Sequence, residues 1–513
     1  MSNKLTSQLF KLVKSLNKAE KRHFKIYAKR NFSKKTLKFV QLFDIIDKME
    51  EYNEQPITQK IPGLSSSVFS NLKAHLYEQL LISLRLLNHT NSHIRTAELI
   101  SFAYVLLQKG LYMQSLTQLA RAKKIAEQNQ QDMLLLEIVE FEKRIESRRI
   151  TRSYKQRADN LTSSSKELRE SLHGDSEWSD FALMLYDFYL KAGHIKNEKE
   201  YEKVKAFFYA KKPKERLRLS FYGSISRQKS YVWYYYITQE FAMCYKHALK
   251  WINKFEEAPH FKQFDPELYM KGLHNALSVL YYSNSLKRFR KLYNTLSLFI
   301  EQNKDNFSID VSTQALIIQE TAHLNLFFLE GRFTAGAKEA KLIEERFNSL
   351  QGNVDKHRTM VFRYKIACLM FGSGNYEESI SYINKIINEP ITSSLREDVQ
   401  GFARILNLLV HFELGNDELL ISQIRSTYRF LLKLEDLQKV QKEVLWFLKR
   451  LTNTDRSNLK PHFIKLKKRL ELIAKDKYEL RPFLYLDLIS WLESKIENER
   501  LEDIIRRKNV GII

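Results

Sequence analysis

Along most of the chain, apolar residues recur three and four positions apart, the spacing that places them on one face of a helix. Residues 358–390 show it most clearly. Val361, Tyr364, Ile366, Ala367 and Met370 mark one helix, and Gly372-Ser373-Gly374-Asn375 breaks it. Tyr376, Ser379, Ile380, Ile383 and Ile386 mark a second, and Pro390 supplies a stop. The pattern predicts two antiparallel helices joined by a tight corner.

The same arrangement recurs. Gly110, Tyr112, Ser115, Leu119 and Ala122 join helices 97–109 and 112–127, and a helix over 133–150 follows. Residues 151–177 are polar and basic and predict a weak helix and loop. Gly193 follows a helix over 178–191 and precedes one bearing Tyr201, Val204, Phe207 and Phe208. Phe241, Cys244, Ala248 and Trp251 repeat the spacing after a helix over 217–238. Residues 268–282 and 286–300 form a pair without a glycine. Gly331, Phe333 and Gly336 join 315–329 to 333–347, and Gly415-Asn416 joins 399–414 to 419–434. The tail predicts helices near 437–451, 459–474 and 485–496, then a polar end to Arg507.

A corner glycine, an aromatic two residues on and a small residue three further is the arrangement of Gly374, Tyr376 and Ser379. It resembles the tetratricopeptide (TPR) repeat. Gly331 to Gly374 is 43 residues, Gly374 to Gly415 is 41, and Gly110 to Gly193 is 83, or two units with a degenerate corner between. A standard unit repeats every ~34 residues, so these helices are longer. The resemblance implies an all-α fold, an α-solenoid of enlarged TPR-like helix pairs with an N-terminal helical cap domain. The expected division is a basic helical domain over 1–94, a repeat array over 95–435 and a C-terminal helical cap over 436–513.

The N-terminal region has its own pattern. Leu5, Leu9, Leu12, Val13 and Leu16 share one helical face, and Asn17 caps a helix over 18–30 with Glu20 in its first turn. A third helix over 37–52 turns Phe39, Val40, Phe43, Ile45 and Ile46 inward. A short helix over 57–61 stops at Pro62-Gly63, and Ser65 or Ser66 caps a long helix to 87. A short helix, a glycine turn and a serine-started helix bearing Asn71 and Lys73 resemble a helix-turn-helix. The other reading is a small cap domain on the array.

Composition agrees with long helices. The 513 residues hold only 14 Gly and 8 Pro, too few for the turns of a β protein, and 44% are hydrophobic, enough for a folded core. The net charge is +24, which favours an anionic partner, although a Lys-rich composition alone produces such an excess. Residues 1–40 carry 12 Lys and Arg against Glu20 alone. The two cysteines, Cys244 and Cys368, each lie in an apolar helical stretch and read as buried free thiols. No secretory leader or window of ~18 uninterrupted apolar residues is found, so a cytoplasmic protein without a membrane span is expected.

Catalytic motifs are missing. The chain has no phosphate-binding Gly-rich loop ending in Lys-Ser/Thr, no nucleophile elbow, and no zinc-protease or paired-cysteine pattern. Ser163 and Lys166 match a nucleophile spacing but stand in a Ser-rich segment. His89 and His93 fall in a polar stretch that reads as a hinge. Neither catalytic residue, cofactor nor metal is expected.

Two functions remain. The first is a protein–protein interaction scaffold binding a peptide or partner protein in a groove lined by first helices, where Tyr234, Asn275, Asn325, Arg363 and Asn407 offer polar tips. The second is a DNA-binding transcriptional regulator with an N-terminal helix-turn-helix and a TPR-like sensing array, similar in layout to peptide-sensing bacterial regulators. Its nucleic-acid contacts would be Lys18, Lys21, Arg22, Lys25, Lys29, Asn71 and Lys73. The aromatic run 231–236, beside Arg216, Arg218, Arg227 and Lys229, either stacks bases or packs between helices.

Overall fold

The structure is a computed structural model. It describes residues 2–32, 38–61, 63, 65–148, 156–215, 217–349, 356–389, 397–433, 437–451, 459–479, 483 and 486–510. The expected Pro62 turn, Arg216 and the Pro390 stop lie outside them. The fold is all-α, and no strand occurs among the described residues. The chain divides into two compact units, residues 1–172 and 173–513.

In the first unit, helices Ser2–Ser15, Lys18–Asn31, Lys38–Lys48, Gln55–Lys60 and Ser66–Leu87 enclose a core of Leu9, Phe24, Phe39, Phe43, Leu76 and Leu80. Asn17 and Glu20 form a reciprocal capping box, and Ser65 caps the long fifth helix. Ser92–Gln108, Tyr112–Gln128 and Asp132–Arg148 follow.

The corners between helices share one device. Gly110, Gln130, Gln239, Asn284, Gly331, Gly374 and Gly415 all have positive φ. At each, the next residue's N–H donates to the carbonyl five residues back, at 2.9–3.0 Å: Leu111 to Leu106, Gln131 to Ala126, Glu240 to Tyr235, Ser285 to Leu280, Arg332 to Phe327, Asn375 to Met370 and Asn416 to His411. This is the Schellman closure, which satisfies a terminal carbonyl and reverses the chain. Gln130, Gln239 and Asn284 are the three of these corners without a glycine. With the last two, the positive-φ positions 193, 239, 284, 331, 374 and 415 fall 46, 45, 47, 43 and 41 residues apart.

Five residues past a corner, the paired helices touch. The Ser115 hydroxyl donates to the Ala103 carbonyl (2.7 Å), the Cys244 thiol to Val232 (3.4 Å) and the Ser379 hydroxyl to Ala367 (2.9 Å), each to the backbone twelve residues earlier. Gly336 holds the equivalent place after Gly331, where a β-carbon would stand 3.0 Å from the Phe327 ring. At these four corners the close approach leaves little room for a larger side chain, whereas after Gln130, Asn284 and Gly415 the same position holds the buried Leu135, Phe289 and Leu420, and those pairs meet through larger side chains.

Two expectations are corrected. Residues 157–192 form one continuous 36-residue helix, Arg157–Ala192, instead of a weak helix and loop leading to a new one. Its polar half is fixed by Ser165 donating to Glu140 (2.6 Å) and by Arg157 pairing with Glu146 (3.0 Å). The stretch between Gly110 and Gly193 therefore holds the Gln130 corner and this long helix. The polar end is also helical, over Leu501–Val510.

The tail does more than close the last pair of the second unit. Glu502 accepts from the Thr334 N–H (3.2 Å), Asn284 donates to Asn509 (2.9 Å), and Asn509 donates to the Leu329 carbonyl. Trp491 and Lys495 both donate to Glu413 (2.7 and 2.6 Å). The last two helices thus span the corners after residues 282, 330 and 414.

Gly372 tests this packing, since a β-carbon there would lie 2.5 Å from the Phe333 ring. Gly372→Ala should lower stability by about 1–3 kcal/mol in urea unfolding. An unchanged midpoint would contradict the close contact.

Candidate partner-binding surfaces

The N-terminal basic block is partly spent on its own fold. Lys21 pairs with Asp47 (2.6 Å) and Lys25 with Asp44 (2.7 Å). Lys73 is a correction. It is 2% exposed, reaches Glu54 at 3.1 Å and lies over the Phe69 ring, so it is not presented to a ligand. A buried ammonium needs such partners. Lys18, Arg22, Lys29 and Asn71 remain exposed. His89 contacts the Leu86 carbonyl in a turn, and Asn91 caps the next helix, so the two histidines flank a turn and a helix start. Among the described residues no group of three or more His, Cys, Asp or Glu is arranged to hold a metal ion.

The first-helix residues divide. Tyr234, Asn325 and Asn407 are buried, which corrects the expectation that they offer tips to a groove. Tyr234 packs its ring on Phe208 at 3.9 Å between centroids, and Asn325 accepts from Lys365 (2.7 Å). Asn275 and Arg363 are half-buried. The Asn275 amide donates back to the Lys271 carbonyl of its own helix (2.9 Å), and Arg363 stands 4.0 Å from Glu389. The aromatic run is packing. Tyr231 stacks on His247, Trp233 lies on Tyr189, and Tyr236 lies on His194. Burial, reinforced by Lys250 and Lys246, pushes His247 down to about 4, so it is neutral at pH 7.

A cavity of about 230 Å³ lies where the tail meets the corners, lined by Tyr281, Phe333, Cys368, Asp487, Lys508 and Asn509 among others. Its polar groups already have structural tasks. Asp487 caps the helix Leu488–Glu497, and Lys508 pairs with Glu493. Burial pushes the Cys368 thiol up to about 12, and the Cys244 thiol likewise. Both are buried and free, as the sequence indicated.

A larger cleft, about 880 Å³, opens between helices Asp417–Lys433 and Lys439–Leu451, with Arg469 of Lys460–Ile473 at its edge. Ile424 and Leu445 are its buried floor. Trp446 is 71% exposed, Tyr428 45% and Ile421 40%. Arg425, Lys442 and Lys449 rise around them, and the one acidic residue of the lining, Glu443, is engaged by Arg469 at 2.9 Å. Val440, Val444, Leu448 and Leu451 form the inward stripe of the second helix, and Trp446 stands off it. That displacement, between Lys442 and Lys449, was the signal in the sequence.

The raised thiol values carry a direct expectation. A buried thiol holds its proton more tightly and so forms less of the reactive thiolate, so at pH 8 neither Cys244 nor Cys368 should react with a disulfide reagent in the native protein. Both should react after denaturation, and rapid native labelling of either would contradict its burial.

No family model matches the chain, and no curated protein or solved structure matches it.

Proposed function

We propose that the protein is a non-enzymatic interaction scaffold whose helix pairs, read as enlarged TPR-like repeats, hold a partner protein or peptide. The repeat reading is supported by the shared corner closure and by an aromatic and then a small residue after Gly110, Gln239, Gly331 and Gly374. The observation that carries the function is the cleft at Trp446. Large apolar side chains that a fold does not bury, gathered over a formed floor and ringed by polar groups, mark a binding surface. Truncating such an aromatic anchor commonly removes a large part of the binding energy.

Affinity purification from the native cell tests this. Wild-type protein should retain a partner after nuclease treatment, and Trp446→Ala should lose it by at least about tenfold with an unchanged circular dichroism spectrum. Equal recovery by both, or loss on nuclease treatment, would count against the scaffold.

A second reading, contact with duplex DNA through residues 1–94, is supported by Lys18, Arg22 and Lys29, which share one exposed face of Lys18–Asn31. In that case changing the three to Gln should flatten the slope of log affinity against log salt by about 2–3. An unaltered slope would remove these residues from any DNA contact.

A further inference from the structure

We infer that the Trp446 cleft takes an acidic amphipathic helix of a partner protein. This rests on the scaffold reading and adds the chemistry of the partner.

Shape is the first argument. Ile421, Arg425, Tyr428 and Leu432 stand at positions i, i+4, i+7 and i+11 of Asp417–Lys433, and Lys442, Trp446 and Lys449 at i, i+4 and i+7 of Lys439–Leu451. Two exposed ridges with an aliphatic floor make a trough, and the ridge from 421 to 432 is about 16 Å long. A partner helix of three turns covers that length and would set its own i, i+3, i+4 and i+7 apolar residues against Ile421, Tyr428 and Trp446.

Charge is the second. Residues 419–470 hold 13 Lys and Arg against 4 Asp and Glu. Arg425 and Lys442, on opposite walls, have no carboxylate partner among the described residues, and Glu443 is already taken by Arg469. Two cationic rims beside an apolar trough complement a helix with carboxylates flanking its apolar stripe. A single-stranded nucleic acid would also meet the cations, but its bases need flat rings to stack on. Here Ile421, Ile424 and Leu445 contribute alongside Trp446 and Tyr428, which favours aliphatic side chains in the trough.

The experiment is selection of a displayed library of random peptides, about 20 residues long, on the full-length protein. Enriched peptides should carry acidic residues on both sides of a helical apolar stripe. Their affinity should fall at least about tenfold in Trp446→Ala and weaken as salt rises. In Arg425→Glu/Lys442→Glu, lysine-substituted versions of the same peptides should bind better than the acidic originals. Enriched peptides that are neutral or basic, or that ignore Trp446, would overturn the acidic-helix assignment while leaving a scaffold standing. No enrichment at all would count against both. Tighter, Trp446-dependent binding of a labelled single-stranded RNA oligonucleotide than of any selected peptide would reassign the cleft to nucleic acid.

Discussion

Two helices joined by a tight corner approach each other most closely where the residue at which their axes first converge is small. At four corners that point comes five residues on, at Ser115, Cys244, Gly336 and Ser379, while Leu135, Phe289 and Leu420 fill it at three others. The side chains of Ser115, Cys244 and Ser379 reach the opposite backbone twelve residues earlier, a contact that requires both a small volume and a fixed turn. The turn is fixed by the Schellman closure, whose positive-φ residue ends one helix and aims the next. The spacing of these corners sets the unit length. Around them lie cores such as the Trp251, Phe255, Tyr269 and Phe289 cluster, shared between successive pairs.

The tail of the second unit alters what stacking alone would give. In a simple repeat array each pair leans only on its neighbours. Here Leu488–Glu497 and Leu501–Val510 bind the ends of several pairs through Glu413, Thr334, Leu329 and Asn284. Those corner groups are consumed by the fold, and so are most polar residues on the first helices. A cleft beside the last pair stays open, where Trp446 is left in solvent and Arg425 and Lys442 have no carboxylate partner among the described residues. The location of the candidate site follows from where the chain stops covering itself.

Much of the fold could be read in the sequence because helical periodicity and glycine corners are local signals. The pairs at Gly110, Gly331, Gly374 and Gly415 carried both. The Gln130, Gln239 and Asn284 corners were harder, since glutamine carries no left-handed preference and asparagine only a weak one. The 157–192 helix was missed because its first half is polar, and its order comes from contacts with Asp132–Arg148 that periodicity does not encode. The site was the least legible part. Tyr234, Asn325 and Asn407 have polar tips on first helices, yet neighbouring elements bury them. Lys73 looked like a groove contact until Glu54 and Phe69, which approach it in three dimensions, accounted for its charge. Exposure of Trp446 depends on which helix fails to cover it, and that is a property of the assembled fold.

The claim that paired helices are locked where a small residue follows the corner is tested most directly by hydrogen–deuterium exchange on Ser379→Leu. The account predicts faster exchange in Lys356–Gly372 and Tyr376–Ile387, spreading to the neighbouring helix Glu397–Leu414, with residues 1–172 protected as in the wild type. Unchanged protection in that pair would contradict it, as would an equal loss throughout the chain.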